Sequence, residues 1–141
     1  DEFMCKDAEV VVVSIGASSG DAKEAANILR NEGIKAGVLR VRVIRPFPSE
    51  EVRDVLSRVK VVAVVDRNLS PGSGGILVSE VKNALYGLRS KPFVKGYILG
   101  LGGRDVTVED YQAIFRKTLK SYEEGDDRAD WVNLNLEVLD R

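Results

Sequence analysis

The chain has 141 residues, 44% hydrophobic and 30% charged, with 21 Lys and Arg against 22 Asp and Glu for a formal charge of −1. That length suits one domain with a substantial core, and the balanced charge offers no basic footprint for nucleic acid and no pull toward an anionic membrane. Zero histidines and one cysteine exclude imidazole bases, HExxH zinc sites, internal disulfides and cysteine-ligated clusters built by this chain alone. The longest apolar runs are about six residues, far short of the ~20 that span a bilayer. The opening DEFMCKD has neither the basic nor the apolar region of a signal peptide, so a cytoplasmic setting is expected.

Residues 10–15 (VVVVSI) are β-branched and nearly all apolar, the pattern of a strand covered on both faces. GASSG (residues 16–20) turns the chain, with Ser18 and Asp21 spaced as a capping pair. Ala22, Ala25, Ala26 and Leu29 then form a helical stripe that Gly33 ends. Residues 38–44 predict a second strand with Leu39, Val41 and Val43 on one face and Arg40 and Arg42 on the other, a strand near the sheet edge. Ser49 is expected to cap the second helix, whose stripe is Val52, Val55, Leu56 and Val59. VVAVV (residues 61–65) reads as a central strand, and residues 66–75 as a turn-rich loop. Leu77, Val81, Ala84 and Leu85 mark the third helix, closed by Gly87, and residues 94–99 the fourth strand. Thr107 and Asp110 open the fourth helix, with Tyr111, Ile114, Phe115, Thr118 and Leu119 on its inner face.

This alternation predicts a three-layer α/β/α domain with a mainly parallel sheet of four to five strands, core order 2-1-3-4. After residue 121 the pattern changes. Residues 123–128 are charged and contain Gly125, and Val132, Leu134, Leu136 and Val138 then alternate with polar residues. The expected division is a domain over 1–121 and a hinge with a C-terminal arm over 122–141. Trp131, at the start of the arm, is of a type enriched at interfaces.

In such sheets ligands and partners meet the carboxyl ends of the strands. The loop at residues 16–20 opens a helix and so could favour an anion. It lacks the GxGxxG and GxxxxGK[ST] spacings, however, and a tight turn with a helix cap accounts for it. Its SSG is similar to the phosphate loop of flavodoxins, but no aromatic wall occurs in residues 66–75 or 100–105. The prolines of RPFP (residues 45–48) stiffen the connection and offer Phe47 beside Arg45 as an interface anchor. Asp66 and Arg67 follow the third strand; Arg104 and Asp105 follow the fourth, after Gly102 and Gly103, where bare backbone permits close approach. At least one acid–base pair among these four charged residues is expected to brace the edge.

Taken together, LRVRVIRPFP (residues 39–48), VVDRNLSPGSGG (64–75) and GLGGRDVT (100–107), with Asp7, Ala8 and Glu9 before the first strand, resemble one family. It is the domain that ends the α subunit of 2-oxoacid:ferredoxin oxidoreductases, of which pyruvate synthase is a member. The resemblance runs from about residue 7 to 119. It implies the fold of the transketolase C-terminal domain, with an extra antiparallel strand next to strand two that only residues 3–6 can supply. It further implies that the whole enzyme decarboxylates a 2-oxoacid, pyruvate above all, to an acyl-CoA and reduces ferredoxin. Thiamine diphosphate, Mg²⁺ and iron–sulfur clusters would be held by other domains and subunits, so no catalytic, cofactor-binding or metal-binding residue maps onto this segment. The implied partners are those domains and subunits, with ferredoxin and coenzyme A for the whole enzyme. Two alternatives remain at this stage: the subunit-docking C-terminal domain of a 2-oxoacid dehydrogenase E1 β chain, and a free-standing flavodoxin-like anion or flavin module.

Overall fold

The computed structural model describes residues 1–15, 19–66, 69–70, 74–98 and 106–131. In chain order the elements are β1 (Glu2–Phe3), β2 (Val10–Ile15), α1 (Ser19–Asn31), β3 (Ala36–Val41), α2 (Ser49–Leu56) and β4 (Val61–Asp66). A short ribbon of β5 (Leu69–Ser70) and β6 (Gly74–Gly75) follows, then α3 (Ile76–Leu85), β7 (Phe93–Ile98), α4 (Val108–Glu124) and β8 (Asp130–Trp131). Six strands form one sheet in the order β1-β3-β2-β4-β7-β8. Its centre, β3-β2-β4-β7, is parallel throughout and has the order expected from the sequence.

The alternation of β2 and β4 builds a core on each face of the sheet. Val11, Val13, Val62 and Val64 pack with Val52 and Leu56 of α2 and Leu77 and Val81 of α3. Val10, Val12, Val61, Ala63 and Val65 pack on the other face with Leu29 of α1 and Ile114 and Phe115 of α4. Leu29, Leu56 and Leu77 are fully enclosed, and burial of each contributes about 1.5–3 kcal/mol. On the face of α1 and α4 the Tyr97 phenol meets the Thr118 hydroxyl at 2.7 Å, and Thr118 donates to the Ile114 carbonyl at 2.6 Å. Burial pushes the Tyr97 phenol well above its ordinary pKa.

The extra antiparallel strand is present and short, but Glu2 and Phe3 form it rather than residues 3–6: they pair with Leu39 and Val38, and the chain has left strand geometry by Met4. Beneath it Cys5 is buried, its thiol donating to the Val38 carbonyl at 3.3 Å, and burial raises its pKa. Such a thiol is a packing group, not a nucleophile.

Several local expectations shift. The second strand stops at Val41, not residue 44, and its described pairing with β2 ends there, at Ile15. Ser49 is the first helical residue of α2; Pro48 holds the cap position without a side-chain hydrogen bond. The loop after β4 contains the antiparallel pairing of β5 with β6. Thr107 and Asp110 form the reciprocal capping box expected of α4. That helix continues through Glu124, past the boundary drawn at residue 121, and ends at Gly125 with φ 73°. Asp130 and Trp131 then pair in parallel with Tyr97 and Ile98, so the chain after α4 contributes an edge strand. Ser18 and residues 132–141 lie outside the described residues.

Candidate functional site

The parallel strands bring their carboxyl ends to one edge of the sheet, where the candidate residues gather. Asp66 is the last residue of β4 and is only 4% exposed. Its Oδ1 accepts from the Leu77 amide at 2.7 Å and its Oδ2 from the Val78 amide at 3.0 Å. These amides lie in the first turn of α3, whose own cap, Gly75, has no side chain to offer. Asp66 therefore caps the helix from the neighbouring strand, placing negative charge at the positive end of the helix dipole. Burial raises the Asp66 pKa, and the two amides oppose the rise. Room for the carboxylate depends on Gly75: a Cβ there would lie 2.1 Å from Asp66 Oδ2 and 2.5 Å from its Cγ. The carboxylate is thus committed to the fold.

Arg45 and Phe47 lie between β3 and α2. Arg45 Nη1 donates to Glu80 Oε1 of α3 at 2.6 Å and to the Ile44 carbonyl at 3.1 Å. Phe47 is half-buried and packs against the cluster under α2 and α3. With Leu39, Val41, Val43, Val52 and Val55 it lines an open groove of about 890 Å³. Val43 is 49% exposed on this groove, whose lining also includes Asp1, Arg42 and Glu51. At the first loop the buried hydroxyls of Ser14 and Ser19 bond each other at 2.8 Å.

Trp131 pairs with Ile98, and Ile98 with Asp66, so the three backbones lie in line at the carboxyl edge. Arg67, Gly102, Gly103, Arg104 and Asp105 are outside the described residues. The expected bracing pair involving Arg67, Arg104 or Asp105 falls there too.

One cluster escaped sequence reading. Lys95, in the middle of β7, is 1% exposed, with its ammonium 3.2 Å from Asp130 Oδ2, 4.0 Å from Asp126 Oδ2 and 3.3 Å from the Asp126 carbonyl. Lys117 reaches Asp130 at 3.0 Å, and Arg128 Nε donates to Asp126 Oδ1 at 2.9 Å. Hydrogen bonds from the Arg128 side chain and amide hold the Asp126 carboxyl below its usual range. Burial pushes Asp130 up, but bonds from Lys117 and Lys95 outweigh it and the carboxyl is held low. The available signal was a lone cation in an apolar strand, FVKGYI, with two aspartates four residues apart after the last helix. Among the described residues no group of three or more His, Cys, Asp or Glu is placed to hold a metal ion. Nor is any described helix long and apolar enough to cross a membrane.

A family model described as "Pyruvate:ferredoxin oxidoreductase core domain II" matches residues 8–111. The chain is 47% identical over 130 residues to the ketoisovalerate oxidoreductase subunit VorA of Pyrococcus furiosus, covering 91% of this chain and 33% of that protein. It is 38% identical over 137 residues to the pyruvate synthase subunit PorA of Methanothermobacter thermautotrophicus, covering 97% and 34%. It spans about a third of the length of these curated relatives. Among solved structures, a split-gene transketolase in an inactive β4 tetramer aligns with TM-score 0.63 and 24% identity, covering 85% of this chain and 42% of that one. The 2-oxoglutarate:ferredoxin oxidoreductase of Magnetococcus marinus aligns with TM-score 0.60 and 22% identity, covering 79% and 18%. At these identities the structural likenesses establish the fold.

Proposed function

The chain belongs to the pyruvate:ferredoxin oxidoreductase core domain II family, and from that premise we propose that it is a structural and assembly domain of a 2-oxoacid:ferredoxin oxidoreductase α subunit. The observation that carries this reading is the family match across residues 8–111. In the assembled enzyme a 2-oxoacid is oxidatively decarboxylated to an acyl-CoA while ferredoxin is reduced. Thiamine diphosphate, Mg²⁺ and iron–sulfur clusters are assigned to other domains and subunits. They do not fit the residues described here: the one cysteine is buried against backbone carbonyls, and Asp66 is spent on two amides.

The role assigned to this domain is to offer its carboxyl edge to its neighbours. Support comes from what the edge does with its polar groups: Asp66 caps α3, Ser14 holds Ser19, and Arg45 holds Glu80. Among the described residues the edge also offers partly exposed apolar surface at Phe47 and Val43, beside the exposed Arg42 and Arg45 side chains. The substrate class favoured is a branched-chain 2-oxoacid, since identity to the P. furiosus ketoisovalerate subunit is 47% against 38% for the methanogen pyruvate synthase subunit.

The test is a spectrophotometric assay of the complete purified enzyme for ferredoxin reduction with coenzyme A and either 2-oxoisovalerate or pyruvate. The expected result is turnover with the branched acid at the higher kcat/KM; no turnover with any 2-oxoacid overturns the reading. For the 141-residue chain titrated calorimetrically with thiamine diphosphate and Mg²⁺, no binding heat is expected. Saturable binding in the low micromolar range would contradict the assembly role.

A further inference from the structure

Gly125 ends α4 in the left-handed conformation, and the Asp126 amide turns back to the Ser121 carbonyl at 2.9 Å. The chain then crosses the outer side of β7 and pairs with it at Asp130 and Trp131. Across residues 126–130 nothing apolar is buried: Asp127, Arg128 and Ala129 are exposed, and Asp126 and Asp130 are partly covered. Among the described residues the strand pairing is two residues long, which is marginal by itself. Among the described residues, adhesion of this segment therefore falls mainly on Lys95, whose ammonium is partnered by Asp126 and Asp130. The dependence is mutual, because a buried ammonium stripped of its carboxylates must be resolvated.

We propose that residues 126–131 form a strap that opens and closes as one unit on the outer edge of β7, with Lys95 as its anchor. Closed, the strap covers the backbone groups of Tyr97 and Ile98 and delivers Trp131 to the carboxyl edge. Open, it bares the sheet edge, where unpaired N–H and C=O groups are a template for another strand. Lys117 is an auxiliary: it is half-exposed and meets Asp130 at the surface, where ion pairs contribute little.

Limited trypsin digestion reads the opening directly, because Arg128 lies within the strap with its side chain 86% exposed, while cleavage needs the backbone released. Rates of cleavage after Arg128 are normalised to unfolded peptides of the same sequence. Asp130→Asn and Lys95→Met should each accelerate cleavage by about tenfold to a hundredfold, with the thermal midpoint of the core little changed. Lys117→Met should change it by about twofold or less. Unchanged cleavage in Asp130→Asn overturns the strap, and an effect of Lys117→Met as large as that of Lys95→Met overturns Lys95 as its anchor. Should Lys95→Met fail to fold, Asp130→Asn decides the matter, since its side chain is partly exposed and the substitution keeps its shape.

Discussion

Gly75→Ala tests whether α3 is capped from β4. The added methyl carbon would lie 2.1 Å from Asp66 Oδ2 and 2.9 Å from Asp66 Cβ, so the carboxylate must leave the Leu77 and Val78 amides. Hydrogen bonds to charged acceptors are each worth about 1.5–3 kcal/mol, and two are lost. Glycine-to-alanine replacement returns about 0.4–1 kcal/mol by restricting the unfolded chain. The net loss is about 3 kcal/mol, or roughly 10 °C in Tm for a domain of this size. Circular dichroism melts and urea titrations measure it. The mechanism is tested by a cycle with Asp66→Ala, which deletes the Cγ and Oδ2 clashes and keeps the contact at Cβ. After that change Gly75→Ala should cost about 1 kcal/mol, a coupling of about 2 kcal/mol. Additive losses, or an unchanged Tm in Gly75→Ala, refute the capping argument.

Phe47→Ala should cost about 1–2 kcal/mol in a urea titration, below the 3–5 expected of an enclosed phenylalanine, because the ring is half-buried. Thr107→Ala removes the capping box of α4 and should lower stability by about 1 kcal/mol in the same assay. Asp130, facing Lys95, Lys117 and the Asp126–Arg128 pair, is held below its ordinary pKa. Its stabilisation is therefore complete above the unfolded value of about 3.9 and is lost as pH falls through the folded value. An NMR titration of its carboxyl carbon should show a midpoint below that value, moving upward in Lys95→Met; a midpoint at or above it in the native chain contradicts the geometry.

Periodicity alone determined the four central strands, the four helices and their order, because an apolar run covered on both faces, followed by a 3.6-residue stripe, has one economical solution: a parallel sheet between helix layers. The capping box at Thr107 was equally local, since both partners lie within one turn. The ordered motifs around residues 39–48, 64–75 and 100–107 were enough to place the family. Other features depended on residues far apart in the chain. Asp66 and Leu77 are eleven positions apart, and only the folded strand shows that the carboxylate caps a helix and that Gly75 makes room for it. Nothing local supplies the partners of Lys95: α4 and the segment after it close over β7 and bring Asp126 and Asp130 to its ammonium from more than thirty positions away. The charged stretch after α4 read as a hinge for the same reason: local composition records polarity, while the partner that neutralises it is set by the tertiary fold.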